Sequence, residues 1–188
     1  MSAPRIAPLE SPYPAPVQAA LDRIMPEGVP PLALFRTLAR NERVFLRLMA
    51  GGLLDRGSIS LREREIVIDR TCARCGCEYE WGVHVMTFAG RAGLTPPQLT
   101  SLVYGGPKDQ CWPSEQERLL ILAVDALHEN ADVDDGLWAR LASAFGERQL
   151  LDLLLLCGWY HAVSFAARAA RVPYEPGAPR FTDVLPGP

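Results

Sequence analysis

"SLREREIVIDRTCARCGCEYEWGVHVMTFAG", residues 60–90, decides how this chain is read. Ser60 and Glu63 have the spacing of a capping box, in which each side chain satisfies a backbone N–H at a helix start. The helix they open is predicted to run through "IVIDRTCA" and to stop between Arg74 and Gly76, since glycine readily terminates helices. A second helix is predicted from about Cys77 to Gly90 or Gly93. On it Cys77, Glu80 and His84 stand at i, i+3 and i+7, which places a thiol, a carboxylate and an imidazole on one face.

Those residue types suit proton and thiol chemistry. Cys77 is expected in the first helical turn, where unpaired N–H groups and the dipole favour an anion and so a lowered thiol pKa. An imidazole titrates near neutrality, so His84 can take the thiol's proton or hand one to a leaving alkoxide. Glu80 would act as a base facing His84 or hold its orientation. Tyr79 and Trp81 line the pocket or pack the helix. Three cysteines within six positions leave three uses open: a redox pair, a zinc site of Cys72, Cys75, Cys77 and His84, or small buried apolar residues. For Cys72 and Cys75 the structural reading leads, and no metal or cofactor is assigned. Cys111 and Cys157 read as single packed thiols. His128 and His161 lie on other helices, with His161 placed in the core near the site or at an interface.

Outward from this segment nearly everything reads as helix. "PPLALFRTLAR" and "NERVFLRLMAGGLL" carry apolar residues at three-and-four spacing, the latter led by Asn41 as N-cap. "TPPQLTSLV" opens with Thr95 as cap and Pro96 at the first helical position. "SEQERLLILAVDALHEN" offers a second capping box, Ser114 with Glu117. "DDGLWARLASAFG" and "ERQLLDLLLLCGWYHAVSFAARAAR" complete the set. No stretch alternates with period two between turn signals. The fold class expected is all-α, one domain of seven to nine helices over residues 32–172. A proline-rich arm with a short helix precedes it at 1–31, and a tail follows at 173–188; both arms are candidates to pack on a neighbouring subunit.

The 188 residues are 48% hydrophobic and 22% charged with a net charge of −3, which excludes a phosphate-tracking surface and makes nucleic acid an unexpected partner. An odd count of five cysteines, three of them clustered, argues against a secreted disulfide framework. No apolar signal segment marks the N-terminus, so a cytoplasmic location is expected. The apolar run from Leu150 is interrupted by Asp152, His161 and Arg168, so a core or interface helix is expected there rather than a membrane span.

"REREIVIDRTCARCGCEYEWGVHVMTFAGRAGLT" resembles the core of the carboxymuconolactone decarboxylase and alkylhydroperoxidase D-like family, and Tyr79-Glu80-Trp81 is similar to its subgroup with "YEW" before the histidine. The resemblance covers roughly residues 40–105 and implies a helical bundle that associates as a homo-oligomer. In the family's peroxidases a nucleophilic and a resolving cysteine form Cys-x-x-Cys. A histidine four residues on and a glutamate twelve residues before the first cysteine relay protons. By that register the first cysteine is Cys77, the histidine His84 and the relay glutamate Glu65. The second cysteine is replaced by Glu80. The Cys72-x-x-Cys75 pair lies five residues too early, so Cys72 or Cys75 would have to serve as a displaced resolving thiol; Cys72 is the less strained partner for Cys77. Failing that, an external thiol would reduce Cys77.

The resemblance implies a peroxiredoxin-like, antioxidant oxidoreductase that reduces hydroperoxides. A cofactor-free decarboxylase acting on a small lactone acid is the alternative, with Arg64, Arg70 or Arg74 binding substrate carboxylates. A non-catalytic helical oligomer that binds a small ligand is the third reading.

Overall fold

The computed structural model describes residues 3–51 and 53–186; residues 1–2 and 187–188 of the two predicted arms, and residue 52 within a predicted helix, lie outside the described residues. At the N-terminal end α1 (Ala15–Ile24), α2 (Ala33–Leu38) and α3 (Glu42–Gly51) gather around a small core of Val17, Ala20, Leu21, Ala39 and Phe45. The main body is built on α4 (Leu61–Arg74). It is followed by α5 (Glu78–His84), a π-helical turn (Val85–Ala89), α6 (Gly90–Ala92), α7 (Pro96–Tyr104), α8 (Glu115–Asn130), α9 (Asp135–Ala144) and α10 (Glu147–Ala170). No strand occurs among the described residues, as the missing period-two pattern predicts. Since α5, the π-turn and α6 run on as one rod, the described residues form nine helical rods, α1 in the N-terminal arm and eight within residues 32–172, inside the expected range.

The cap signals work as read, with one exception. Ser60 Oγ accepts from the Glu63 amide while the Glu63 carboxylate accepts from the Ser60 amide at 2.7 Å. Asn41 Oδ1 accepts from the Val44 amide, and the Thr95 amide donates to Gln98 Oε1. At α8 only half of the expected box forms. Ser114 accepts from the Glu117 amide, but the Glu117 carboxylate turns away to Arg62 at 2.5 Å, because a charged partner holds it better than a backbone N–H.

Helix α4 packs against α5, α7, α8 and α10, and all residues from Glu65 to Cys72 are buried. It carries Glu65, Asp69, Arg70 and Thr71 into the middle of the molecule. Arg70 forks onto both oxygens of Asp125 and donates to the carbonyls of Leu102 and Gly105, which ties α4 to α7 and α8. Helix α10 has the length and apolarity of a membrane span by composition, yet Leu150, Leu153, Leu156, Tyr160, Val163 and Ala167 lie in the protein core. Asp152, one of its polar interruptions, accepts from the Ser58 amide and hydroxyl.

Both arms pack on their own chain. The Leu9 amide donates to the Arg36 carbonyl and the Arg5 amide to that of Ala170. The C-terminal tail crosses α5: Tyr174 Oη and the Phe181 amide donate to the Glu78 carboxylate, and Arg180 pairs with it. Gly82 permits this crossing, because a Cβ there would lie 2.4 Å from the Pro179 carbonyl oxygen.

Candidate active site

The link between α4 and α5 sets the site. Gly76 adopts φ +63°, the left-handed conformation open to glycine. The Cys77 amide donates to the Cys72 carbonyl at 2.8 Å and the Gly76 amide to that of Ala73 at 2.9 Å. These two bonds form a Schellman motif, which sets the residue two past the helix cap against the last turn. Cys77 therefore folds back onto Cys72 and serves as N-cap of α5, one position earlier than a first-turn residue. Both thiols are wholly buried.

Two helical faces meet over this turn. Glu65, Asp69 and Cys72 stand at i, i+4 and i+7 on α4, and Cys77, Glu80 and His84 at i, i+3 and i+7 on α5. His84 Nδ1 lies 2.7 Å from Glu65 Oε2, and His84 Nε2 lies 2.9 Å from Tyr160 Oη and 3.6 Å from Glu80 Oε1. Arg64 holds the other Glu65 oxygen at 2.8 Å. Burial alone would depress the imidazole, but hydrogen bonds and charge from Glu65 and Glu80 outweigh it and raise the His84 pKa to about 10. The ring is thus an imidazolium at neutral pH, clamped between carboxylates.

Cys77 behaves differently from its sequence reading. Burial raises its thiol to about 11, opposed by the Glu80 amide and by the Ser164 hydroxyl. The helix terminus does favour the thiolate, but desolvation is the larger effect. Cys72 is raised well above the usual thiol range, first by burial and then by Cys77, Glu80 and Asp69 around it. The structure thus sets His84 between Glu65, which is hydrogen-bonded to it, and Glu80, which stands at ion-pair distance. Cys77 and Cys72 lie at the Glu80 end, with no direct bond to His84. Trp81 is buried against Phe181 of the tail, and Tyr79 donates to Glu175, so both secure the helix and tail. Cys75 points the other way, toward His128.

Two site residues escaped the sequence reading. Tyr160 reaches His84 from α10, a tertiary contact with no local signature. Asp69 is fully buried with neither carboxylate oxygen hydrogen-bonded, and burial raises its pKa well above the ordinary value, which favours the neutral acid. Its signal was available: Glu65, Asp69 and Cys72 repeat at helical spacing. Of the arginines considered as substrate cations, Arg70 and Arg74 are engaged by Asp125 and Glu129. Arg64, engaged by Glu65 and the Leu54 carbonyl, also lines a cleft of about 540 Å³, together with Arg56, Arg91, Phe88 and Asp152. Phe88 stacks beside His84 at 5.3 Å and under Arg64 at 5.0 Å, so it forms the wall between cleft and imidazole. A second cleft of about 550 Å³ opens beside Gly76, Glu78 and Arg168, the residues around Cys77.

A helical bundle with a buried glutamate–histidine pair beside paired thiols defines the class. Residues 41–123 match the carboxymuconolactone decarboxylase family. No curated protein matches the chain by sequence. Among solved structures, an uncharacterized peroxidase-related protein from Silicibacter sp. TM1040 superposes with a TM-score of 0.78 at 17% identity, covering 95% of this chain and 97% of that one. An uncharacterized peroxidase-related protein from Ralstonia eutropha JMP134, described as an alkylhydroperoxidase AhpD core, gives 0.75 at 15% identity, covering 93% and 95%. The debrominase Bmp8 gives 0.66 at 16% identity, covering 91% and 92%. At these identities the likeness is one of fold.

Proposed function

We propose that this protein is a cytoplasmic thiol oxidoreductase that reduces a small hydroperoxide through Cys77, with Cys72 as the resolving thiol. The observation that carries this reading is the Schellman turn that sets Cys77 against Cys72 beside Glu80. In the reaction Glu80 takes the Cys77 proton as the thiol approaches peroxide. The sulfur attacks the distal oxygen of R–O–OH, the O–O bond breaks, and R–O⁻ leaves, taking a proton from the His84 imidazolium and yielding R–OH and Cys77 sulfenic acid. The Cys72 thiol then attacks that sulfur, releasing water and forming the disulfide. An external dithiol closes the cycle by reducing it. The substitution at Glu80 thus supplies a base where relatives place a sulfur, and Cys72 supplies the sulfur from the preceding helix.

The test is peroxide consumption with a dithiol reductant, with disulfide mapping by mass spectrometry. Wild type should consume peroxide and form a Cys72–Cys77 disulfide; Cys77→Ser should lose turnover, and Cys72→Ser should accumulate a trappable sulfenic acid. Because Cys77 sits near 11, at pH 7 only about one thiol in 10⁴ is ionised, so turnover should climb as pH rises above 7. Unmodified Cys77 and unconsumed peroxide in wild type would end this reading.

A second reading has its own support. The arginine-lined cleft behind Phe88 suits a small dicarboxylate, which favours lyase chemistry at His84. In that case Cys77→Ser retains activity and Arg64→Gln raises KM.

A further inference from the structure

On the far side of the α4 terminus lies a second constellation that the thiol chemistry above does not use. Cys75 from α4, His128 from α8 and His161 from α10 point inward, their donor atoms all within 4.8 Å of one another. Cys75 Sγ stands 3.9 Å from His128 Nδ1, and His128 Nδ1 stands 2.9 Å from His161 Nε2. We propose that these three side chains form a binding site for a divalent transition-metal ion of the zinc type, with one coordination position left open.

The donors are the right kind and arrive with the right atoms. A thiolate and two neutral imidazoles are common zinc ligands. Tetrahedral coordination with bonds of about 2.0 and 2.3 Å requires N···N and S···N separations of about 3.3 and 3.6 Å, close to those here. The tautomer of His161 is set by its neighbour: Nδ1 lies 2.8 Å from the Cys157 carbonyl, an acceptor, so Nδ1 carries the proton and Nε2 presents its lone pair to the site. Such an outer hydrogen bond is the usual device for orienting a ligating histidine. Arg74 lies near His128. Arg74 is itself paired with Asp125 and Glu129, so its charge is balanced against the incoming cation. Three ligands from three separate helices are fixed by the packing of α4, α8 and α10, and the half-exposed imidazoles leave a path for entry. Open three-ligand sites are the form zinc takes where it binds a further small molecule.

This site differs from one built of Cys72, Cys75, Cys77 and His84. The structure turns His84 away to Glu65 and Tyr160. It also stands apart from the redox proposal, since metal binding is read without peroxide.

Full-length, chelator-treated protein titrated with Zn²⁺ against a chromophoric chelator should bind one equivalent. Co²⁺ in its place should show the thiolate-to-cobalt band in the near ultraviolet. Cys75→Ser should abolish that band. His161→Gln, with its fold verified by circular dichroism, should weaken Zn²⁺ binding by more than the 10–100-fold that losing an outer-shell partner costs. Cys77→Ser should leave metal binding unchanged. Absence of stoichiometric Zn²⁺ binding in wild type, a cobalt band surviving in Cys75→Ser, or its loss in Cys77→Ser would each overturn the assignment.

Discussion

Asp69 is the residue whose burial has the sharpest thermodynamic consequence. Its carboxyl ionises near pH 3.9 in the unfolded chain, while burial keeps it protonated in the folded protein well above that value. The unfolded state therefore loses a proton that the folded state keeps, and Asp69 costs stability increasingly as pH rises above about 4. Asp69→Asn should gain thermal stability relative to wild type on going from pH 4 to pH 8, measured by calorimetry at each pH; a difference that does not change with pH would show that Asp69 is ionised. His84 runs in the opposite sense. Its pKa is raised to about 10, so its stabilisation is complete below the unfolded value near 6.5 and is lost as pH climbs through 10. Tyr160→Phe removes the hydrogen bond at Nε2 and should cost about 1 kcal/mol at pH 7, read from denaturant midpoints. Glu65 shows how a residue's setting reverses its reading. In "REREIVID" it looks like one charge among many on a surface helix, yet it is fully buried, with an arginine and a histidine on its two oxygens.

At the scale of elements, α5 owes its position to what crosses it. The tail is fastened by Glu78, Tyr79 and Trp81, and Gly82 leaves room for the Pro179 carbonyl. Gly82→Ala forces a Cβ into that carbonyl and should destabilise the protein by about 1–3 kcal/mol. It should also speed proteolytic cleavage around residues 173–180, and an unchanged cleavage rate would mean that the tail detaches readily without it. The π-turn at Val85–Ala89 begins directly after His84 and interrupts what sequence periodicity reads as one uniform helix. Such insertions are concentrated at functional sites. No capping or breaker residue marks it, so periodicity alone has no means of finding it.

For the whole molecule, the described residues leave the outer face of α10 uncovered. Leu151, Leu155 and Phe165 are 59%, 63% and 66% exposed and fall along one stripe with Gly158 and Ala162. Exposed apolar area of this kind favours association, and we propose that a second copy of the chain covers it. Leu155→Glu should shift the protein to a smaller species in sedimentation velocity; an unchanged distribution would place any self-association elsewhere. Much of the architecture was legible in the chain itself. Capping boxes, helical spacing and the glycine at 76 fix where α4 ends and α5 begins, because backbone hydrogen bonding at helix termini is a local matter. They also place Cys77, Glu80 and His84 on one face. Desolvation, by contrast, depends on what packs around a side chain, and only the tertiary structure decides it. It raised the Cys77 thiol where the helix terminus alone would lower it, favoured the neutral acid at Asp69, and turned Arg70 into an internal tie. It also brought together groups from distant segments: Tyr160 at His84, and Cys75 with His128 and His161. The three-cysteine cluster was visible in sequence from the start. Folding set two of the thiols beside Glu80 and the third beside two imidazoles, because the groups that meet each thiol come from helices distant in sequence.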